Sequence, residues 1–283
     1  MEAAFLDDRA VIAVSGPEAR PFLQGLVTND VAAGLAPGAA LYTALLSPQG
    51  KILFDFFVTE GDGALLLDVA RDSSDSLLKK LKMYRLRAKV EIEARPQLGV
   101  YVALKRHPDN RPTPYAERAI SFADPRLPAL GVRSIGSHAE MPANLPGPRA
   151  YHEQRLVLGV PEGADFGSEK IFALDAGLEE LNGVSFTKGC YVGQELTSRM
   201  KHRATARKRI LTVTASQALP AAGTAVKRGE TEIGELLSFY GSRGFALVRL
   251  DRLEETQGDT KLGEISVALT KPAWLAGATG SRA

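Results

Sequence analysis

The sequence predicts a protein of mixed helices and strands that ends in a small antiparallel β-barrel. Strand and helix signals alternate between residues 11 and 104, and short strand-like stretches follow one another after Ala206. The composition is that of a globular protein, with 45% hydrophobic and 24% charged residues. A chain of 283 residues is long enough for two domains or for one large compound domain.

Apolar periodicity and turn residues indicate the elements of the first hundred residues. Ser15-Gly16-Pro17 reads as a turn that opens a helix, with Pro17 tolerated at its first position and Phe22, Leu23 and Leu26 on its apolar face. Ser47-Pro48-Gln49-Gly50 supplies the torsions of a tight hairpin connection. The predicted strands are 11–14, 41–46, 51–58, 64–70, 88–93 and 98–104, and a helix is predicted over 73–84.

The second half of the chain carries fewer signals until the predicted barrel. Residues 107–114 and 141–148 are rich in Pro and Asn, so we expect surface loops there, flanking a weakly patterned segment. Helices are predicted over 150–158 and from about 193 to 203. The predicted barrel strands are 209–214, 225–227, 233–239, 245–250 and 264–269. We therefore expect a first region over 1–205, a barrel over 206–275 and a tail over 276–283.

Charge and hydropathy exclude several classes of protein. The formal net charge is only +2, which is no whole-protein signature of nucleic-acid binding. No apolar run approaches the roughly 18 to 20 residues that cross a bilayer, so no membrane partner is expected. Residues 1–8 carry three acids and no base, unlike a secretory signal or an Arg-rich transit peptide. The sequence thus predicts a cytoplasmic, bacterial protein.

A basic segment stands out between residues 188 and 209. It has seven Lys or Arg and one acid, a local charge of +6, which leaves −4 for the remaining 261 residues. Such a local field attracts phosphates, carboxylates or an acidic partner. A solvated basic helix is the alternative. No aromatic residues are interleaved as base stacking would require, which argues against direct nucleic-acid binding.

Cys190 lies inside this segment and is the only cysteine of the chain, so it cannot form an internal disulfide or complete a metal site alone. Gly189 and Gly193 leave the thiol approachable. If a helix begins near Gly193, its amide dipoles and Lys188 favour the thiolate. A small buried apolar filler is the alternative.

Residues 188–195, Lys-Gly-Cys-Tyr-Val-Gly-Gln-Glu, resemble the signature of the YgfZ family, which contains folate-binding relatives of the glycine-cleavage T-protein that serve iron–sulfur protein maturation. The resemblance continues at 22–31, 46–51, 155–163 and 181–187, where it is similar to the branch of the mitochondrial assembly factor. It covers nearly the full chain and is weakest over 107–148. This implies an α+β fold: intertwined α/β lobes and a C-terminal antiparallel β-barrel around a central opening that binds tetrahydrofolate.

The same resemblance assigns roles to individual residues. Asp55 matches a folate-facing aspartate of the T-protein, and an ionised carboxylate suits the N–H donors of a pterin edge. An edge-strand charge facing water is the alternative. The further candidate folate-binding residues are Gln24, Asn29, Lys188, Tyr191, Gln194, Glu195, Arg199 and Arg203.

The chain departs from the T-protein pattern at two places. A pterin-binding carboxylate expected in 155–159 is replaced by Val157, and a cysteine now precedes the stretch 191–195. Both changes argue against aminomethyl transfer.

Three functions follow. The first is a tetrahydrofolate-binding factor for 4Fe-4S cluster assembly, in which Cys190 is the functional thiol and shares a cluster with an A-type carrier protein. The second is a tetrahydrofolate-dependent one-carbon transferase or demethylase, with Cys190 as nucleophile, so the presence of enzymatic turnover stays open. The third is a tRNA-binding modification factor.

Overall fold

The computed structural model describes residues 3–36, 38–104, 118–140, 142, 144–203 and 207–276. The predicted loop at 107–114 and residues 277–283 of the predicted tail lie outside these ranges. Up to residue 104 the elements are β1 (Ala3–Phe5), β2 (Arg9–Ser15), α1 (Ala19–Gln24), α2 (Val31–Gly34), β3 (Ala40–Leu46), β4 (Ile52–Gly61), β5 (Ala64–Ala70), α3 (Arg71–Tyr84), β6 (Glu91–Ala94) and β7 (Leu98–Ala103).

The middle and C-terminal elements complete the fold. They are β8 (Ile120–Ala123), β9 (Val132–Ser137), α4 (Arg149–Leu158), α5 (Gly163–Phe166), α6 (Gln194–Arg203), β10 (Lys208–Thr214), β11 (Ala225–Arg228), β12 (Thr231–Tyr240), β13 (Arg243–Arg249), α7 (Leu250–Glu255), β14 (Thr260–Leu262), β15 (Ile265–Ser266), β16 (Ala268–Thr270) and α8 (Ala273–Ala276).

Two antiparallel sheets share the first half of the chain. One sheet has the strand order β3-β4-β5-β2-β6 and the other β1-β7-β9-β8. The consecutive strands β1 and β2 belong to different sheets, and so do β6 and β7, so the chain passes between the sheets twice. The lobes are therefore intertwined. The predicted hairpin of β3 and β4 is confirmed, with Ala44 opposite Asp55.

The five-stranded sheet is buried on both faces. Successive side chains of a strand point to opposite faces, and Phe56 and Phe57 of β4 accordingly belong to different cores. Phe56 shares its core with Leu77 of α3, whereas Phe57 shares its core with Val100 of the second sheet. Both faces of β4 are thus covered, which places Asp55 in the interior.

The C-terminal strands form a nearly closed antiparallel barrel of order β15-β14-β11-β12-β13-β10-β16, as predicted. Its own core contains Val213, Ile233 and Leu262. Trp274 of α8 packs against both this core and the larger core between the two sheets. The division of the chain at residue 206 stays a prediction, since residues 204–206 lie outside the described ranges.

Several boundaries and elements differ from the predictions. The helix α1 begins at Ala19, so Pro17 belongs to the preceding turn. The predicted strand 264–269 is divided into β15 and β16. Within the described residues, β1, α2, α5, β8, β9, α7, β14 and α8 were not predicted, because each is short or has little apolar periodicity. No helix among the described residues is long and apolar enough to span a membrane.

Candidate functional site

Cys190 lies in an exposed loop that leads into α6. The helix begins at Gln194, so the predicted position of the thiol, just ahead of a helix N-terminus, is confirmed. Exposure rules out the alternative of a buried apolar filler. No group of three or more His, Cys, Asp or Glu suited to a metal ion occurs among the described residues. This thiol therefore has no described partners of its own chain with which to complete a metal site.

The buried side chain of Lys188 holds the start of the Cys190 loop against the segment that joins α1 and α2. Its ammonium group donates to the backbone carbonyls of Gln24 at 2.7 Å and Asn29 at 3.0 Å and also to that of Val27, and the residue is only 7% exposed. Burial lowers the pKa of Lys188 to about 8, so the amine stays mostly protonated at pH 7. These three carbonyls occupy the N–H donors of Lys188, and its predicted influence on the Cys190 thiol stays a prediction.

Two glycines bring the Cys190 loop against the β3–β4 turn. Gly193 has φ +81°, and a Cβ there would lie 2.5 Å from the Ser47 carbonyl oxygen. A Cβ on Gly50, φ +76°, would lie 3.2 Å from Cβ of Leu196. Only glycine allows both the conformation and this approach. By contrast, Gly189 has space around it and no positive φ.

Gln24 and Asn29 hold the α1–α2 segment in shape. The amide of Gln24 donates to Asp30 at 3.1 Å and its carbonyl oxygen accepts from the Ala32 backbone at 3.0 Å. The Asn29 amide donates to the carbonyls of Tyr42 and Asn182 at 2.8 and 2.7 Å. These bonds fix the segment whose backbone carbonyls accept from Lys188. Both side chains therefore help to position the Cys190 loop through Lys188.

The other predicted residues of the loop and α6 divide into one buried and several accessible side chains. Tyr191 is buried, and its hydroxyl has no hydrogen-bond partner among the described residues; burial raises its pKa to about 12. Gln194 is half-buried at the first helical position. Glu195 is exposed and pairs with Arg199 one turn later at 3.1 Å, and Arg203 is exposed at the helix end.

The basic segment is partly neutralised by neighbouring acids. Lys201 pairs with Glu179, and Arg209 pairs with Glu180 at 3.3 Å. Arg203, Arg207 and Lys208 are exposed. The cations available to a ligand therefore lie at the C-terminal end of α6 and the start of β10.

Asp55 lies in a second location, a pocket of about 240 Å³ between β4, β5 and α5. It is 4% exposed, so the alternative of an edge-strand charge facing water is wrong. The Tyr42 hydroxyl donates to its Oδ2 at 2.9 Å, and Oδ1 receives no hydrogen bond from the described residues. A Cβ on Gly163 would lie 2.4 Å from Oδ1, so this glycine makes room for the carboxylate.

A buried network of charges surrounds Asp55. Asp68 binds Arg9 at 2.6 Å and Arg133 at 2.5 Å, and Glu162 binds Arg126 at 3.2 Å and Arg155 at 3.3 Å. The hydroxyl of Tyr151 accepts from Arg126 and Arg133 at 2.7 and 2.9 Å. Arg133 also stacks over the Phe57 ring at 4.3 Å. Charges at this depth must be paired to be tolerated.

The two acids of the pocket have opposite pKa shifts. Burial raises the pKa of Asp55, the neighbouring Glu162 raises it further, and Arg9 only partly offsets this. Burial acts in the same direction on Glu162, but Arg155, Arg9 and Arg126 together hold its pKa well below the usual range. Glu162 is thus ionised, and Asp55 is the acid whose charge is poorly compensated.

Sequence reasoning missed most of this network. Residues 155–163 were singled out only by resemblance, without a role for Arg155 or Glu162. The strand β9 around Arg133 has little apolar periodicity, so the sequence offered no local signal for this buried charge. Val157 is 63% exposed on α4 and is not among the residues that line the Asp55 pocket. The absence of a carboxylate at that position therefore carries no information about this pocket.

The strand β4 and the turn before it connect the two locations. Gly50 contacts the Cys190 loop and α6, while Ile52 and Asp55 line the pocket. Cys190 is not among the lining residues of this pocket. The structure thus brings the motifs at 22–31, 46–51 and 181–187 together next to the Cys190 loop at 188–195. Asp55 lies apart from them, in the pocket farther along β4.

Comparison with known proteins gives the class of the molecule. The fold matches the aminomethyltransferase T of the glycine cleavage system from Bartonella henselae, with a TM-score of 0.74, 16% identity, and coverage of 96% of this chain and 86% of that chain. The protein therefore has the T-protein fold, as the resemblance implied. Residues 207–277 match the family model described as the CAF17 C-terminal beta-barrel domain.

Two relatives define the family within this fold. The human mitochondrial iron–sulfur cluster assembly factor IBA57 is 36% identical over 278 residues, 88% of this chain and 78% of that protein. The mouse protein of the same name is 35% identical over 280 residues with the same coverage. The chain belongs to the IBA57/CAF17/YgfZ family of iron–sulfur cluster assembly factors.

Proposed function

We propose that this protein is a tetrahydrofolate-binding factor for the assembly of 4Fe-4S clusters, in which Cys190 binds a cluster together with an A-type carrier protein. The observation that carries the proposal is the exposed thiol on a loop fixed by Lys188 and Gly193. One sulfur cannot hold a cluster, and no described group of residues supplies the other ligands. The remaining ligands then come from the partner, whose cluster is the cargo.

The loop geometry supports this role of Cys190. A cluster shared between two proteins requires a thiol that is accessible to a macromolecule and held in one place. The three carbonyl contacts of Lys188 and the glycine approach at Gly193 restrain the loop on both sides of the thiol. The exposed cations Arg203 and Arg207 add attraction for an acidic partner surface.

The Asp55 pocket supports folate binding. Asp55 Oδ1 is free of described donors, and the pocket is large enough for a pterin ring but not for a whole folate. The N–H groups of a pterin would satisfy this oxygen and favour the ionised carboxylate. Folate affinity should therefore rise with pH as Asp55 loses its proton. Among the predicted folate-binding residues, Gln24, Asn29 and Lys188 act through the loop instead.

The direct test mixes the purified chain with a cluster-loaded A-type carrier and follows visible absorbance across a gel-filtration column. We expect a colourless protein that forms a stable coloured complex, and we expect Cys190→Ser to abolish that complex. Adding Ser198→Cys to the Cys190→Ser variant moves the thiol into α6 and should not restore it. A coloured complex of unchanged yield with Cys190→Ser would disprove the role of the thiol.

Calorimetric titration with tetrahydrofolate, with and without the carrier, tests the folate site. Asp55→Asn should weaken binding at least 10-fold, while Asp72→Asn, an exposed acid at the rim of the same pocket, should leave it unchanged. The predicted contact of Arg199 and Arg203 with a polyglutamate tail is tested by replacing both with Gln. This change should weaken polyglutamylated folate more than the monoglutamate, and equal losses would refute that contact.

A tetrahydrofolate-dependent one-carbon transferase is the second candidate, favoured by the buried acid in the pocket. Its mark is turnover of methylene- or formyl-tetrahydrofolate by the protein alone, lost in Asp55→Asn. A tRNA-binding factor is the third, and steeply salt-dependent tRNA binding would support it. The named relatives are mitochondrial, and the cytoplasmic location of this chain stays a prediction.

A further inference from the structure

A second cationic surface lies far along the chain from the Cys190 loop. Residues 76–90 contain six cations and no acid, namely Lys79, Lys80, Lys82, Arg85, Arg87 and Lys89. This is another +6, so a net charge of +2 leaves −10 for the residues outside the two basic stretches. We call residues 79–89 the α3 surface, because they form the C-terminal half of α3 and the turn after it.

Two large apolar side chains project from the middle of the α3 surface. Leu86 is 86% exposed and Met83 is 63% exposed. Leu86 lies between the exposed Arg85 and Arg87, and Met83 borders a shallow depression with Lys79 and Lys82. Asp75 lines the same depression, and it is the one acid among its lining residues. The surface therefore combines two exposed apolar side chains with several exposed cations.

The backbone at Leu86 makes this arrangement unusual. Leu86 has φ +42°, in the left-handed region that follows many helices and that is most often occupied by glycine. A bulky residue in this conformation is strained, and here the side chain gains no burial in return. The Leu86 side chain is thus held outward without gaining burial, which leaves it available to a partner.

The composition of the α3 surface distinguishes between possible partners. Four of its six cations are lysines, a residue that is depleted at protein–protein interfaces but effective against a diffuse negative surface. Its one aromatic residue, Tyr84, is half-buried with Lys80 over its ring at 5.9 Å, so none is exposed for stacking on bases. Projecting apolar side chains among cations are typical of proteins that bind at a bilayer interface.

We propose that the α3 surface docks the protein on an anionic phospholipid bilayer, with Leu86 and Met83 entering the boundary between headgroups and acyl chains. The net negative charge outside the basic stretches would be repelled by the same surface, which fixes the orientation of the docked protein. No membrane partner was expected, because no apolar run is long enough to cross a bilayer, but docking on the bilayer surface needs no such segment. This inference is independent of the role of Cys190.

Co-sedimentation of the full chain with large vesicles tests the proposal. The vesicles contain 30% phosphatidylglycerol in phosphatidylcholine or phosphatidylcholine alone, at 50 and 300 mM salt. We expect binding to the anionic vesicles only, weakened by the higher salt. Lys79→Gln with Lys82→Gln should reduce the partition coefficient about 25-fold, because each lysine near an anionic surface contributes a factor of about five. The matched pair Lys227→Gln with Lys261→Gln, two exposed lysines of the barrel, should leave it nearly unchanged.

Leu86→Gly is the decisive variant, because it separates docking from folding. Glycine accepts φ +42°, so resistance to urea should stay equal or rise, while the partition coefficient should fall at least about 10-fold with the loss of the inserted side chain. Three results would overturn the proposal: no binding to anionic vesicles, equal losses for the two lysine pairs, or full vesicle binding by Leu86→Gly. Binding of bulk tRNA in place of vesicles, with the same dependence on Lys79 and Lys82, would assign the surface to RNA and overturn it too.

Discussion

Neutralising the two acids of the pocket should change stability in opposite directions. Glu162→Gln keeps the shape of the side chain but removes the charge that faces Arg126 and Arg155 at 3.2 and 3.3 Å. Removing one partner of a buried ion pair costs about 3 to 5 kcal/mol. In this variant Arg126 still pairs with Asp124, and Arg155 still pairs with Asp165. We therefore expect the free energy of unfolding to fall by the lower end of this range, about 3 kcal/mol.

Asp55→Asn removes a charge that burial disfavours, so the free energy of unfolding should be unchanged or higher at pH 7. The signs follow from the pKa shifts. The lowered pKa of Glu162 adds stability above its unfolded pKa, and this is lost as the pH falls through the folded value. The raised pKa of Asp55 has the reverse effect, so stability falls as the pH rises from the unfolded value through the folded one.

Urea unfolding at pH 7, followed by the fluorescence of Trp274, measures both variants. Trp274 is the only tryptophan and packs against two of the cores, so it reports on the junction of the lobes and the barrel. The deficit of Glu162→Gln should shrink as the pH is lowered, because the wild-type acid then takes up a proton. Equal destabilisation by the two variants would refute the assignment of their charges.

Three further changes test the thiol loop and the contact between lobe and barrel. Lys188→Met leaves three carbonyls without a donor, so the free energy of unfolding in urea should fall by about 2 to 4 kcal/mol. Hydrogen exchange over 189–193 should become faster, and unchanged slow exchange would contradict the restraint of the loop by Lys188. Gly193→Ala should lower the free energy of unfolding by more than about 2 kcal/mol in the same assay, whereas the control Gly189→Ala should leave it nearly unchanged. Equal effects would contradict the close contact of Gly193 with the β3–β4 turn. Asp175 accepts a hydrogen bond from the backbone of Lys208 at the start of the barrel strand β10. Burial raises the pKa of Asp175 to about 6, so its charge costs stability as the pH rises from about 4 to about 6. Asp175→Asn should therefore be more stable at pH 8 by up to about 3 kcal/mol, and no gain in thermal denaturation at pH 8 relative to pH 4 would exclude this.

Local signals predicted the parts of the fold that depend on local periodicity. The hairpin of β3 and β4 was recognised because alternating apolar residues flank a Pro- and Gly-containing turn, and α3 because Leu77 and Leu81 repeat at helical spacing. The exposed position of Cys190 before α6 also followed from its glycine neighbours. These features are fixed by a few consecutive residues.

The buried charge network could not be predicted in the same way. Arg9, Asp68 and Arg133 come together only because strands from two sheets pack face to face, and each is separated from the others by more than fifty residues. The carbonyl contacts of Lys188 were missed for the same reason, since these partners lie 159 to 164 residues away. Polar contacts at such separations leave no periodic trace in the sequence.

The double passage of the chain between the sheets has a consequence for synthesis on the ribosome. The first sheet lacks its edge until β6 has emerged, and the second cannot form before β9, although its edge strand β1 is made first. The carbonyls of Gln24, Val27 and Asn29 lack their donor until Lys188 has been translated. A ribosome-bound nascent chain therefore cannot hold the loop around Cys190 in place until Lys188 has emerged, by which point every strand of the two sheets has been synthesised.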